Sequence, residues 1–135
     1  MNSGFNPMRW NCETSGCFNT KRRPKIEVFA DCFPSRINFG DVDGLVEYGS
    51  FCLLEWKGEG GSLRTGQRIS FEQFTRQPGN IVFVVDGNAE TMEVTRYSIF
   101  WAGSHQTAID ANLDELKERI KAWVRYMDEI RRATA

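Results

Sequence analysis

Two stretches hold residue types that could do chemistry together: Gly40-Asp41-Val42-Asp43-Gly44-Leu45-Val46-Glu47 and, after a Gly49-Ser50 turn signal, Leu53-Leu54-Glu55-Trp56-Lys57. In an extended strand, residues two apart share a face, so Glu55 and Lys57 point the same way. Core packing alone does not select an acid and a lysine at the end of an apolar run. A solvated ion pair on an edge strand would explain them without any chemistry. With a hairpin centred on Gly49, Asp43 faces Glu55 and Asp41 faces Lys57. Opposed carboxylates repel, and a divalent cation between them would remove the repulsion. A two-residue turn would instead put Asp43 and Glu55 on opposite faces, unless a bulge at Gly44 restored them.

Mg²⁺ or Mn²⁺ suits such a site, because hard cations take oxygen ligands and one or two carboxylates plus a substrate phosphate complete the shell. The ion would polarise the phosphate and acidify a water, and Lys57 would offset charge in the transition state. Metal ligation is therefore expected at Asp43 and Glu55, with Asp41 as the competitor to Asp43.

Asp43, eleven intervening residues and then Glu55-Trp56-Lys57 resemble the D…(D/E)-x-K core of the PD-(D/E)XK nuclease superfamily. The Pro that often precedes that Asp is absent here. The resemblance covers residues 24–86 and implies a restriction-endonuclease-like core, a mixed sheet flanked by helices in the order α-β-β-β-α-β. It also implies metal binding by Asp43 and Glu55 and assistance to the attacking water by Lys57. Gly66-Gln67-Arg68-Ile69-Ser70-Phe71 is similar to the superfamily's Q-x-x-x-(Y/F) helix, which adds Gln67 to the site. Glu27 is the candidate for the acid often carried on the first helix. A Cys-containing arm followed by the Asp–Gly hairpin and Gly–Gln helix also resembles small phage and prophage proteins.

The elements that must position these residues are read from pattern. An irregular arm, residues 1–23, precedes a single domain over 24–135. Pro24 opens a helix that Pro34 ends. Ile37 to Tyr48 and Phe51 to Lys57 form the hairpin. A second helix runs to Arg76 with Thr65 as N-cap. Ile81 to Val85 is an apolar run suited to a strand buried on both faces, Asp86-Gly87-Asn88 turns the chain, and Met92 to Trp101 is a further strand. Asn112 and Glu115 make a capping box. Behind it Leu113, Leu116, Ile120, Trp123, Val124, Met127 and Ile130 form the apolar stripe of a core-packing helix. The sum is an α/β or α+β domain around a central mixed sheet.

Composition sets the limits. The chain has 135 residues, 41% hydrophobic and 26% charged, with net charge −1, an ordinary globular balance that argues against coating nucleic acid non-specifically. No apolar run is long enough for a membrane span, and the first ten residues lack a signal-peptide core, so a cytoplasmic location in a bacterial host is expected. Between Arg9 and Lys25 lie five basic residues and one acid. Of these, Lys21, Arg22, Arg23 and Lys25 are candidates to contact DNA phosphates, against a plain solvated segment. Cys12, Cys17 and Cys32 raise a structural zinc site, but no fourth ligand is evident. A cysteine nucleophile lacks a nearby base, since His105 is the chain's one histidine. Trp10, Phe18, Trp56 and Trp101 are read as core before base-stacking residues.

The function expected is a Mg²⁺- or Mn²⁺-dependent endodeoxyribonuclease of phage or prophage type acting on DNA. A homodimer would be required to cut both strands. The alternative is a catalytically inactive protein of the same fold that binds nucleic acid or a host factor.

Overall fold

The computed structural model describes residues 24–35, 39–40, 42–58 and 60–134. The chain divides into two units, 1–41 and 42–135. In the first, Ile26–Cys32 forms a 3-10 helix with no side-chain cap at Lys25, inside the short helix expected from Pro24 to Pro34. Seven residues with no capping side chain give little to offset the cost of nucleating an α-helix.

The second unit is an α+β fold built on a mixed sheet. Its strands are β1 (Gly44–Glu47), β2 (Phe51–Lys57), β3 (Ile81–Asn88), β4 (Glu93–Trp101), β5 (Ser104–His105) and β6 (Ile109–Asp110). They run in the order β1-β2-β3-β4-β5, with β6 also on β4. β2 and β3 are parallel, joined through helix α1 (Thr65–Thr75), and the other pairings are antiparallel.

β3 is central because its sequence permits nothing else. Ile81 to Val85 are all buried, so both faces of this strand are covered. On one face Leu53, Val82, Val84 and Phe100 pack with Phe71 of α1. On the other, Cys52, Ile81, Phe83, Val85 and Ile99 pack with Leu116, Trp123 and Met127 of the long helix α2 (Leu113–Thr134). The sheet therefore separates two apolar layers, one per helix. α2 starts where its capping box places it. Asn112 Oδ1 accepts from Glu115 N–H, and Glu115 Oε1 accepts from Asn112 N–H, both at 2.9 Å.

Four local expectations are corrected. β1 covers only Gly44–Glu47 of the strand expected from Ile37, with 36–38 and 41 outside the described residues. Arg64, not Thr65, is the N-cap of α1, because Gln67 reaches back to the Arg64 N–H and starts the helix one residue earlier. Asp86-Gly87-Asn88 is not a turn. A register shift between Asp86 and Gly87 lets β3 run on to Asn88 against β4. A side chain at Gly87 would meet Trp56 Cζ2 and Val94 Cα at 3.1 Å, so the bulge needs glycine there. The short strands β5 and β6 carry no periodic signal and form through pairing with β4. Among the described residues two strands, rather than the three implied by the resemblance, precede α1.

Candidate active site

Alternation along the strands sends Leu53, Glu55 and Lys57 to the α1 side of the sheet, with Val82, Val84 and Asp86 beside them on β3. Phe71 of α1 covers the apolar end of that surface. Past it, at the carboxyl end of β2, the face becomes polar, and the first turn of α1 brings Gln67 over it. Crevices at the carboxyl ends of parallel strands are where open α/β sheets commonly bind ligands.

Three of the expected residues meet there. Lys57 Nζ lies 3.3 Å from Glu55 Oε2 and donates to Gln67 Oε1 at 3.0 Å. Gln67 Nε2 donates to the same Glu55 Oε2 at 3.0 Å, while Gln67 Oε1 also accepts the Arg64 N–H at 3.1 Å. The amide is needed for this closure, because it presents an acceptor to two donors and a donor to a carboxylate. The Glu55 and Lys57 side chains are only 10% and 16% exposed. An ion pair this dry gains far more from each hydrogen bond than a surface pair does, and it costs far more to break.

Register places Asp43 where the hairpin centred on Gly49 predicts. Gly44 pairs with Leu54 and Glu47 with Phe51, so Asp43 lies one step past the end of β1, in line with Glu55. Gly49 sits at φ +88°, the left-handed conformation that closes the turn. Asp43 is exposed, and its Oδ2 accepts the Trp56 N–H at 2.6 Å. Its carboxylate thus takes the place of a strand partner at the residue between Glu55 and Lys57.

The sequence reading missed Asp86 by assigning it to a turn. Lys57 is opposite Asp86, Asp86 opposite Arg96, and Arg96 opposite Asp110, to which its guanidinium is bonded at 3.4 Å. Charges of alternating sign therefore cross four strands at the rim of the site. Burial pushes the Asp86 carboxyl above the usual range, against the pull of Arg96 and Lys57. The missed signal is that Val82, Val84 and Asp86 keep one period-2 face. One row further in, Glu55, Val84 and Ser98 are in line, and Ser98 Oγ lies 2.8 Å from His105 Nε2. The His105 ring stacks on Phe100 at 4.0 Å, and burial and Arg68 lower its pKa while Glu72 opposes them.

Asp41, Lys21, Arg22, Arg23, Cys12 and Cys17 lie outside the described residues, as does the Glu27 side chain. Lys25 and Cys32 are exposed in the first unit. Two hard carboxylates, Asp43 and Glu55, suit Mg²⁺ or Mn²⁺ as donors. Among the described residues no group of three Asp, Glu, His or Cys side chains is placed to hold a metal ion. No described helix is long and apolar enough to cross a membrane. Compared with protein-family models, with curated proteins and with solved structures, the chain matches none.

Proposed function

We propose that this chain is a metal-dependent nuclease that hydrolyses DNA phosphodiester bonds, with Glu55, Lys57 and Gln67 at its centre. The observation that carries the reading is the nearly buried Glu55–Lys57–Gln67 cluster at the carboxyl end of β2. Folding alone does not favour such a cluster, since well-packed apolar residues in place of a buried ion pair are commonly as stable or more stable. Buried ionic groups in a cleft are instead typical of sites whose chemistry requires charge.

Asp43 and Glu55 would hold a Mg²⁺ or Mn²⁺ ion, which supplies Lewis-acid polarisation of the phosphate and a more acidic attacking water. Glu55 fixes the Lys57 ammonium, and Gln67 fixes both of them. Lys57 donates one N–H to Gln67 and pairs with Glu55, and a phosphate oxygen would take a further N–H of the ammonium. As water oxygen bonds to phosphorus and the bond to the leaving oxygen breaks, negative charge grows on the phosphate, and Lys57 stabilises it. The basic segment around Lys25 would add attraction for the strand, independent of sequence.

A second reading is a DNA- or host-factor-binding protein without turnover. It is favoured by the closure of the cluster on itself, with Glu55 Oε2 serving both Lys57 and Gln67. Plasmid, single-stranded and branched DNA, incubated in Mg²⁺, Mn²⁺ and EDTA, separate the two. The nuclease reading expects cleavage in either metal, none in EDTA and none with Glu55→Gln. DNA bound but uncut in every metal supports the second reading.

A further inference from the structure

On the opposite side of the sheet from Glu55, between α2 and the Ile81 end of β3, lies a cavity of about 440 Å³. This falls within the roughly 300–1,000 Å³ typical of small-molecule sites. Ile81, Trp101, Gln106, Arg119, Trp123 and Tyr126 line it. Trp123 is fixed in the wall, since it is buried and its Nε1–H donates to Gly79 O at 2.8 Å. Trp101 and Tyr126 meet edge to face at 5.5 Å, and Tyr126 remains 44% exposed, leaving aromatic surface for a planar guest.

The polar lining is uncommitted. Among the described residues the Arg119 and Gln106 side chains form no hydrogen bond or ion pair. Glu115, one turn before Arg119, is occupied by the Asn112 capping box. A half-buried guanidinium with no carboxylate partner, set beside aromatic rings, suits an anion attached to an aromatic group. The Gln106 amide offers a donor and an acceptor, the pairing that reads the edge of a nucleobase.

We infer that this cavity binds one nucleotide, with its base against Trp101 and Tyr126, its edge at Gln106 and its phosphate on Arg119. The site does not use the Glu55 cluster and stands independently of the cleavage reading. A nucleotide within a single strand and a free nucleotide present the same chemistry, and the test distinguishes them.

The test follows the Trp101 indole N–H resonance, assigned with Trp101→Phe, in ¹⁵N-labelled protein without divalent metal. Deoxyadenosine monophosphate, deoxyadenosine, inorganic phosphate and a short deoxyadenylate oligomer are titrated in turn. The monophosphate should shift the resonance and bind at least about tenfold more tightly than the nucleoside, because the guanidinium contributes a charge-assisted bond. Arg119→Ala should remove that advantage and leave nucleoside binding as it was, Arg119→Lys should restore part of it, and folded Glu55→Gln should bind both ligands with wild-type affinity. An oligomer that binds more tightly per site assigns the pocket to a strand, and equal affinity assigns it to a free nucleotide. A Trp101 resonance unmoved by the monophosphate overturns the inference, as does Arg119→Ala binding like wild type. Shifts confined to Gln67 and its neighbours also overturn it, while supporting a phosphate site at the cleavage cluster.

Discussion

Breaking the Glu55–Lys57 pair from either side should cost more stability than removing both ends of it. The side chains are 10% and 16% exposed and lie 3.3 Å apart. Removing one partner of a buried pair costs about 3–5 kcal/mol, against roughly 0.2–1 kcal/mol for an exposed pair. With exposures this low, Glu55→Gln should cost about 3 kcal/mol, because Lys57 loses the carboxylate with which it forms its ion pair. Lys57→Met should cost a similar amount, because it removes the cation beside the nearly buried Glu55 carboxylate. The double variant puts a neutral pair of similar shape in the same space and should lose no more than one single variant. The coupling would then be at least about 3 kcal/mol. For a domain of this size each single change should lower Tm by roughly 10 °C. Urea unfolding followed by circular dichroism at neutral pH, for all four members of the cycle, gives the coupling directly. Additive losses, or a Glu55→Gln cost below about 0.5 kcal/mol, would refute the buried, mutually dependent pair.

Three further outcomes follow from the packing. Asp86 has a folded-state pKa above its unfolded value, so its protonated form favours the fold and that stability is lost as pH rises through the folded pKa. Asp86→Asn should therefore raise Tm at pH 7, with the gain vanishing below about pH 3.8, and a lower Tm at pH 7 would show that Lys57 and Arg96 outweigh burial. Burial pushes the Cys52 thiol up to about 11, whereas Cys32 is exposed. Site-resolved mass spectrometry after brief alkylation at pH 8 should find Cys32 modified and Cys52 intact, and equal labelling would contradict the packing. Gly87→Ala would drive a Cβ into Trp56 and the β4 backbone, so it should cost at least about 1 kcal/mol in urea unfolding, and a neutral result would misplace the bulge.

The hairpin was legible because Gly49-Ser50 sits between two runs that fix a register, and Gly44 to Glu47 pair about Gly49 as that register requires. α2 was legible from its capping box and apolar stripe, since both signals are local to the helix. Asp86 was not, because Asp-Gly-Asn has the local chemistry of a turn and only pairing with β4 holds it in a bulged strand. The partners of Glu55 were half legible. Spacing placed Lys57 on its face, but closure by Gln67 depends on where α1 crosses the sheet. Asp43 was expected to confront Glu55, and the structure has it accept the Trp56 N–H beyond the end of β1, a backbone contact that residue types do not encode. His105 offered no motif, because its contact with Ser98 comes from the two-residue strand β5.

The central claim, that Lys57 acts on a scissile phosphate, is tested most directly by single-turnover cleavage in Mg²⁺. Lys57→Ala is compared with wild type, and DNA affinity is measured separately in Ca²⁺ without turnover. A charge-stabilising donor lost from a preorganised site lowers the chemical step by about 10²–10³-fold, and binding should change little because the ground state draws on other contacts. The account predicts a cleavage rate at saturation at least about a hundredfold lower, with nearly unchanged affinity. An unchanged rate at saturation, with or without weaker binding, would contradict it and leave Lys57 as a structural partner of Glu55.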